Sequence, residues 1–198
     1  MKIQKPCWPD NAYYFITTST FLHFPYFIYD DQKQIVLDRL REMEIKLNIE
    51  IKAFSIAMNH FHYVTFLQKG ELYSKIKQFM NGGISCLYGK RFSKKYKQMW
   101  QGTKAIIINN EKSYWMILGY IIGNLLKHRR VSTFQELYNN KYSSYKSFVD
   151  EHDEEFAREL VYRVINVEED SEASVDVKSF EKIGIQDMLN GLKPTNPG

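Results

Sequence analysis

Apolar positions along the chain switch between a spacing of two and a spacing of three to four, and each switch marks an element. Tyr13-Tyr14-Phe15-Ile16-Thr17-Thr18, β-branched and aromatic after the turn signal Pro9-Asp10-Asn11, predicts a first and central strand. Ile35, Leu37, Leu40, Met43 and Leu47 recur at helical spacing behind the capping pair Asp30-Asp31, so a helix is expected to end near Asn48. Ile49 to Ile56 alternates apolar and polar and leads into His60-Phe61-His62-Tyr63-Val64-Thr65-Phe66, which predicts a hairpin around Met58-Asn59. Leu72, Ile76, Phe79, Met80 and Ile84 predict a second amphipathic helix with Lys75 and Lys77 on its wet side, weakened at Gly82-Gly83. Lys104 to Ile108 reads as a fourth strand, closed by Asn109-Asn110. The order βαββαβ predicts a ferredoxin-like α+β fold, an antiparallel four-stranded sheet with helices on one face.

A further helix is expected from Ser113 to Leu126, where Tyr120 and Asn124 stand four residues apart and share a face. Ser132 to Phe148 should wrap the core. Asp150 to Val167 reads as one acidic helix with Phe156, Leu160, Val161 and Val164 as its apolar stripe, followed by a weakly structured acidic stretch and a disordered end at Lys193 to Gly198. This divides the chain into a main folded domain, 1–148, and an acidic extension, 149–198. No repeat is visible.

Charge sharpens that division. Residues 71–130 hold 12 Lys and Arg against Glu71 and Glu111, a net of +10, whereas 150–198 hold 13 Asp and Glu against 5 Lys and Arg, a net of −8. A polyanion is therefore expected on the middle of the chain, with the acidic stretch folded back over that surface. Tyr88 to Lys97 adds aromatic rings for stacking on unpaired bases to ammonium and guanidinium groups for phosphates; a solvated loop with its aromatics turned inward fits it equally well. The 44% hydrophobic content is ordinary for a globular protein, and the longest apolar runs, such as Met116 to Ile122, are too short for a membrane span. The N-terminus has no secretory pattern, so a cytoplasmic location is the expectation. Cys7 and Cys86 are isolated and indicate neither a disulfide framework nor a thiolate zinc site.

The candidate chemistry lies at His60 and His62. In a strand they project from one face while Phe61 points away, so two imidazoles can meet one metal ion. Taken alone, that spacing is more often a histidine pair on a half-exposed strand with no ligand role. Three stretches together resemble the single-tyrosine HUH transposases, and among them the REP-associated tyrosine transposases. Met58-Asn59-His60-Phe61-His62 is similar to the family's Met-x-Asn-His-x-His box with one residue fewer, and Trp100-Gln101-Gly102-Thr103-Lys104-Ala105-Ile106 to its Trp-Gln strand start. Tyr120-Ile121-x-x-Asn124 followed by Tyr142-Ser143-Ser144-Tyr145 is similar to its Tyr-Ile-x-x-Asn-Pro and Trp-Ser-Ser-Tyr elements. The resemblance covers residues 13–148. It departs at Leu125, where the family usually has proline, at Lys127-His128-Arg129-Arg130, and at Thr103, where an aromatic is usual.

The resemblance implies that His60, His62 and Asn124 hold a divalent ion, Mg or Mn in the absence of cysteine ligands. It also implies that Tyr120 attacks a phosphodiester to give a 5′-phosphotyrosine and a free 3′-hydroxyl. The partner implied is single-stranded DNA with hairpins, bound by a monomer or homodimer. Lys75, Lys77, Lys90, Arg91, Lys94, Lys95, Lys104, Arg129 and Arg130 are the candidates for holding its backbone. The alternative is a non-catalytic ferredoxin-like module that binds single-stranded nucleic acid, which leaves His60, His62, Tyr120 and Asn124 together without a role. A two-histidine phosphodiesterase is disfavoured, since Tyr63-Val64 follows His62 where such boxes need a hydroxyl residue.

Overall fold

The computed structural model describes residues 8–93, 98–170, 175, 176, 180, 183 and 184. Four strands, β1 (Ala12–Thr20), β2 (Ile51–Ile56), β3 (His60–Leu67) and β4 (Trp100–Ile108), form an antiparallel sheet in the order β2-β3-β1-β4. Helices α1 (Asp30–Leu47) and α2 (Leu72–Phe92) connect them, completing the ferredoxin-like βαββαβ order that the hydrophobic spacing predicts.

Strand alternation divides the core into two sides. Tyr14 of β1 stacks toward Tyr73 of α2, while its neighbours Tyr13 and Phe15 meet Tyr114 and Tyr120 of α3 (Glu111–Lys127) on the opposite face. β3 lies beside β1 with Thr17 opposite His62, so the histidines point toward α3 and Phe61 and Tyr63 point away. Both α1 and α2 thus cover one face, and α3 covers the other.

α2 runs through Gly82-Gly83 to Phe92, beyond the weakening expected there. A Cβ on Gly83 would stand 2.5 Å from the Arg39 guanidinium, whose Nη2 donates to Phe79 O at 2.8 Å; the glycine gives α1 room to approach, and that packing outweighs its low helix propensity. Lys90 and Arg91 therefore lie in the last turn of a helix, and Tyr88 is buried with its hydroxyl donating to Tyr26 O.

α3 is capped by Asn110, whose side-chain oxygen accepts from Ser113 N at 2.8 Å. It ends in a Schellman turn: Arg129 has φ 52°, Arg130 N donates to Leu125 O at 2.8 Å and Arg129 N to Leu126 O at 3.0 Å. The helix runs through Leu125 to Lys127, which sets His128 at its end.

The Tyr142-Ser143-Ser144-Tyr145 element seals the β2 edge. Ile56 N donates to Tyr142 O at 2.8 Å and Ser144 N to Phe54 O at 3.0 Å, while Ser143 Oγ donates to Ile122 O of α3 at 3.0 Å. Short helices α4 (Phe134–Tyr138) and α5 (Tyr145–Glu151) flank it. The acidic helix expected over Asp150 to Val167 is broken: α5 ends at Glu151, and Asp153 caps a separate α6 (Glu154–Val164) by accepting from Phe156 N at 2.7 Å. The predicted stripe Phe156, Leu160, Val161 and Val164 is buried. It presses on α3 at Gly119 and Gly123, where a Cβ would lie 2.6 Å from Leu160 Cγ and 2.6 Å from Val161 Cγ1. Helix α6 thus backs the helix that carries Tyr120. Two glycine substitutions are expected to act in opposite directions in urea denaturation. Gly119→Val should destabilise by about 1–3 kcal/mol through overpacking. Gly82→Ala, with nothing within 4 Å of its Cβ, should stabilise by roughly 0.5–1 kcal/mol through helix propensity.

Among the described residues no helix is long and apolar enough to cross a membrane. The end of the chain predicted to be disordered, Lys193 to Gly198, lies outside the described residues.

Candidate active site

Both histidines are buried, and each uses one ring nitrogen to fix its orientation. Asn59 Oδ1 can only accept, so at 2.9 Å it accepts a hydrogen bond from His60 Nδ1–H, while the same amide donates to His23 O at 3.3 Å. His60 Nε2 is left with its lone pair, buried and without a hydrogen-bond partner. His62 Nδ1 lies 2.9 Å from Thr17 Oγ1, and its Nε2 faces the Tyr120 hydroxyl at 3.4 Å. Donation to Thr17 and acceptance from Tyr120 satisfy this ring. The two imidazoles stand 4.8 Å apart between centroids.

α3 brings its residues to the same place by helical repeat. Tyr120, 1% exposed, contacts His62, and one turn later the buried Asn124 lies beside His60 with both amide atoms lacking aligned hydrogen bonds. One turn further, the His128 ring meets His60 at 5.0 Å between centroids. From the C-terminal stretch, Glu169 reaches in: its Oε1 is 3.3 Å from both Lys127 Nζ and His128 Nε2, and its carboxylate neighbours the Tyr120 hydroxyl. Lys127 Nζ also sits 5.3 Å over the Tyr120 ring and donates to Val167 O. A cavity of about 180 Å³ opens beside this cluster, lined by His23, His60, His128, Arg130, Glu169 and Asp170 among others.

Burial governs the protonation states. It pushes His60 down to about 4 and His62 well below its ordinary value, each helped by neighbouring imidazoles, so both rings are neutral at pH 7. Burial also pushes the Tyr120 phenol up, and the Glu169 charge adds to this, so the hydroxyl keeps its proton. Burial opposes the charge on Glu169 itself, but His128 and Lys127 hold its carboxyl well below the usual range. The metal-free protein should therefore lose stability in mild acid. Folding lowers the His60 pKa from 6.5 to about 4, so between these values the unfolded chain binds more protons. The His60 contribution, on the order of 3 kcal/mol, is complete above about pH 6.5 and disappears as pH falls toward 4. His62 acts in the same sense. Urea midpoints should fall steadily from pH 7 to pH 4.5; a flat profile would contradict this.

The predicted basic residues divide between the two sides of the sheet. Lys104, Arg129 and Arg130 lie on the face of the histidines, and Lys104 pairs with Asp170 at 2.7 Å. Lys75, Lys77, Lys90 and Arg91 are exposed on α2, across the sheet from the site. Lys94 and Lys95 lie outside the described residues. Of the acidic stretch expected over the basic surface, Glu169 and Asp170 do contact basic residues beside the histidines.

Three residues of the site are not singled out by the sequence patterns: Thr17, His128 and Glu169. His128 has a signal, four residues after Asn124 and eight after Tyr120. Thr17 and Glu169 have none, because strand register and the path of the C-terminal stretch bring them in.

No family model and no curated protein matches the sequence. Among solved structures, a REP-associated tyrosine transposase bound to a REP hairpin superposes with a TM-score of 0.61 at 19% identity, over 76% of this chain and 86% of that one. The chain has this tyrosine-transposase fold. A candidate transposase from Deinococcus radiodurans R1 overlaps less well, with a TM-score of 0.44 at 15% identity over 61% of this chain and 95% of that one. In this chain β1, β3 and α3 are placed so that an imidazole pair and a helix-borne phenol share one face.

The donors in this fold suit a divalent ion: His60 Nε2 and Asn124 Oδ1 are buried without hydrogen-bond partners, and His62 Nε2 has only the 3.4 Å contact. As the side chains stand, no three His, Cys, Asp or Glu groups among the described residues are arranged to hold a metal ion.

Proposed function

We propose that this chain is a metal-dependent enzyme that cleaves and rejoins single-stranded DNA at hairpins, as a transposase or a processor of repeated hairpin elements, with Tyr120 as nucleophile. One observation carries the reading. The hydroxyl of a buried tyrosine meets the free nitrogen of one strand-borne imidazole, while the second imidazole and the carboxamide one helical turn away hold unused lone pairs beside it. A transposase bound to a REP hairpin shares the fold, which supports DNA as the partner. A binding module has no use for these orphaned donors.

His60, His62 and Asn124 would hold a divalent ion, Mg or Mn, which when bound polarises the scissile phosphate and offsets its charge. The chain's own groups do the rest. Thr17 and Asn59 hold the imidazoles by their Nδ1 atoms, so that both Nε2 atoms face the site. Tyr120 Oη gives up its proton and bonds to phosphorus as the phosphorus–O3′ bond breaks, and the 3′-oxygen takes a proton. The phosphotyrosine conserves the bond energy, so a second 3′-hydroxyl can reverse the step without a nucleotide cofactor. Lys104, Arg129 and Arg130 would hold the backbone near the site, with Lys75, Lys77, Lys90, Arg91, Lys94 and Lys95 available to a longer strand; the protein acts as a monomer or homodimer. The test is a panel of 3′-labelled single-stranded hairpin DNAs incubated with protein and Mn2+ or Mg2+. A slow-migrating covalent band on a denaturing gel is expected, and its absence across the panel in both metals would refute the reading.

A further inference from the structure

Exposed apolar surface is concentrated at one place beside the site. Among the described residues seven large apolar or aromatic side chains stand exposed, and four of them, Leu22, Phe24, Ile28 and Tyr29, fall on the link between β1 and α1. Scattered singly, such residues need no explanation, but a cluster marks a surface that meets a partner. Leu22 is 76% exposed and Phe24 56%, and between them His23 lines the cavity that His60 and Arg130 also line. The link is held in this outward pose. Leu22 and His23 both have φ 52°, in the left-handed region that bulky residues rarely adopt. Hydrogen bonds from β4, from the start of β3 and from the end of β1 keep it there: Leu22 N donates to Gln101 Oε1 at 3.3 Å, Asn59 Nδ2 to His23 O at 3.3 Å, and Thr20 Oγ1 to Phe24 O at 2.7 Å. Asn59 therefore holds His60 with its oxygen and this turn with its nitrogen, which fixes the apolar pair relative to the imidazole. A leucine in a strained conformation with its side chain in water adds nothing to the core, and strain maintained by so many ties collects where it serves binding.

We propose that Leu22 and Phe24 form a platform on which an unpaired base of the DNA strand packs, next to the phosphate presented to Tyr120. The inference rests on the proposed action on single-stranded DNA and adds what selects the single strand. Phe24 stacks on the face of the base and Leu22 wedges against it, as exposed aromatic and aliphatic side chains do on unstacked bases. The adjoining cavity suits the phosphate of the same nucleotide. Arg130 lines it, and the carboxylates that share the lining are already paired, Glu169 with Lys127 and His128 and Asp170 with Lys104. A base within a duplex keeps both faces against its neighbours and has none to offer, so the platform accepts only a nucleotide outside the stem. Stacking reads no base edge, so it discriminates by strandedness rather than by sequence.

The test is fluorescence anisotropy of the full chain with two DNAs that share one stem-loop, the first with single-stranded flanks and the second blunt, in a chelator and again with Mn2+. Phe24→Ala should weaken binding of the flanked hairpin about 5- to 100-fold and Leu22→Gly about 3- to 10-fold, with little change on the blunt one. Phe24→Tyr should bind as the wild type does. Thermal melts accompany each variant, and Leu22→Gly should melt no lower than the wild type, because glycine suits the left-handed backbone. A loss of DNA affinity without a loss of stability is what a purely structural role does not produce. 2-Aminopurine placed in the flank beside the scissile phosphate should be quenched by the wild type and by Phe24→Tyr but not by Phe24→Ala. Undiminished binding of the flanked hairpin by both Phe24→Ala and Leu22→Gly, or an equal loss on the blunt one, would overturn the inference and leave the proposed function intact. A wild-type dimer that both substitutions turn into monomer at unchanged DNA affinity would also overturn it and assign the patch to a second copy of the chain. If the wild type binds neither DNA in either condition, inference and proposed function fall together. Weakened binding as expected, without a covalent band on any hairpin, would uphold the inference and sink the proposed reaction.

Discussion

Tyr120→Phe is expected to eliminate the covalent DNA band, lowering its rate of formation by at least about 10³-fold, while the protein remains folded. The substitution removes one oxygen and keeps the ring. The ring packs edge-on against Phe15 at 6.1 Å and His62 at 5.3 Å, contacts that phenylalanine retains. The lost hydroxyl faces His62 Nε2 at 3.4 Å and also interacts with Asn124 and with the Glu169 carboxylate, which disfavours its ionised form. Stability should therefore fall by about 1–3 kcal/mol. Structure and chemistry separate cleanly at this position, so a surviving band would mean that another group is the nucleophile. Urea denaturation alongside the gel assay establishes that the loss is chemical.

His60→Ala has the second largest expected effect, a loss of about 10² to 10³-fold in band formation at saturating Mn2+. His60 Nε2 is the buried lone pair without any partner, whereas His62 Nε2 has Tyr120 to face. Removing it takes a donor and leaves Asn59 Oδ1 unpaired, while relieving the cost of burying an imidazole with an unsatisfied nitrogen. The rate should respond to added Mn2+ in the wild type and only weakly in the variant. Equal rates for the two proteins, or an undiminished wild-type rate in a chelator, would count against a metal-assisted reaction.

Both effects depend on residues whose grouping was only partly legible in the sequence. Strand alternation puts His60 and His62 on one face, and helical repeat puts Tyr120 and Asn124 on one face, since both are local regularities of the backbone. The βαββαβ order follows from the same periodicities. His128 obeys the helical repeat too, yet nothing local indicates that α3 extends that far, because its end depends on the turn at Arg129. The glycines of α2 and α3 mislead when read by propensity alone. Gly83, Gly119 and Gly123 sit where a second helix or a guanidinium comes within reach of a Cβ, and each is tolerated for that contact.

The basic residues show the same limit. A net of +10 over 71–130 marks a stretch of sequence, not a surface. Folding sends α2, with Lys75, Lys77, Lys90 and Arg91, to one side of the sheet and Lys104, Arg129 and Arg130 to the other, because consecutive elements alternate between layers.

By itself the sequence determined the order of the strands and of the first three helices, the two faces that carry the imidazoles and the phenol, and the reversal of charge along the chain, all of which are set by neighbours within a few residues. Only the tertiary structure decided that those two faces meet, that Thr17 and Asn59 orient the imidazoles, and that Glu169 enters from more than a hundred residues away. Such contacts depend on strand register and helix packing, which are settled by the burial of the whole core rather than by any local pattern.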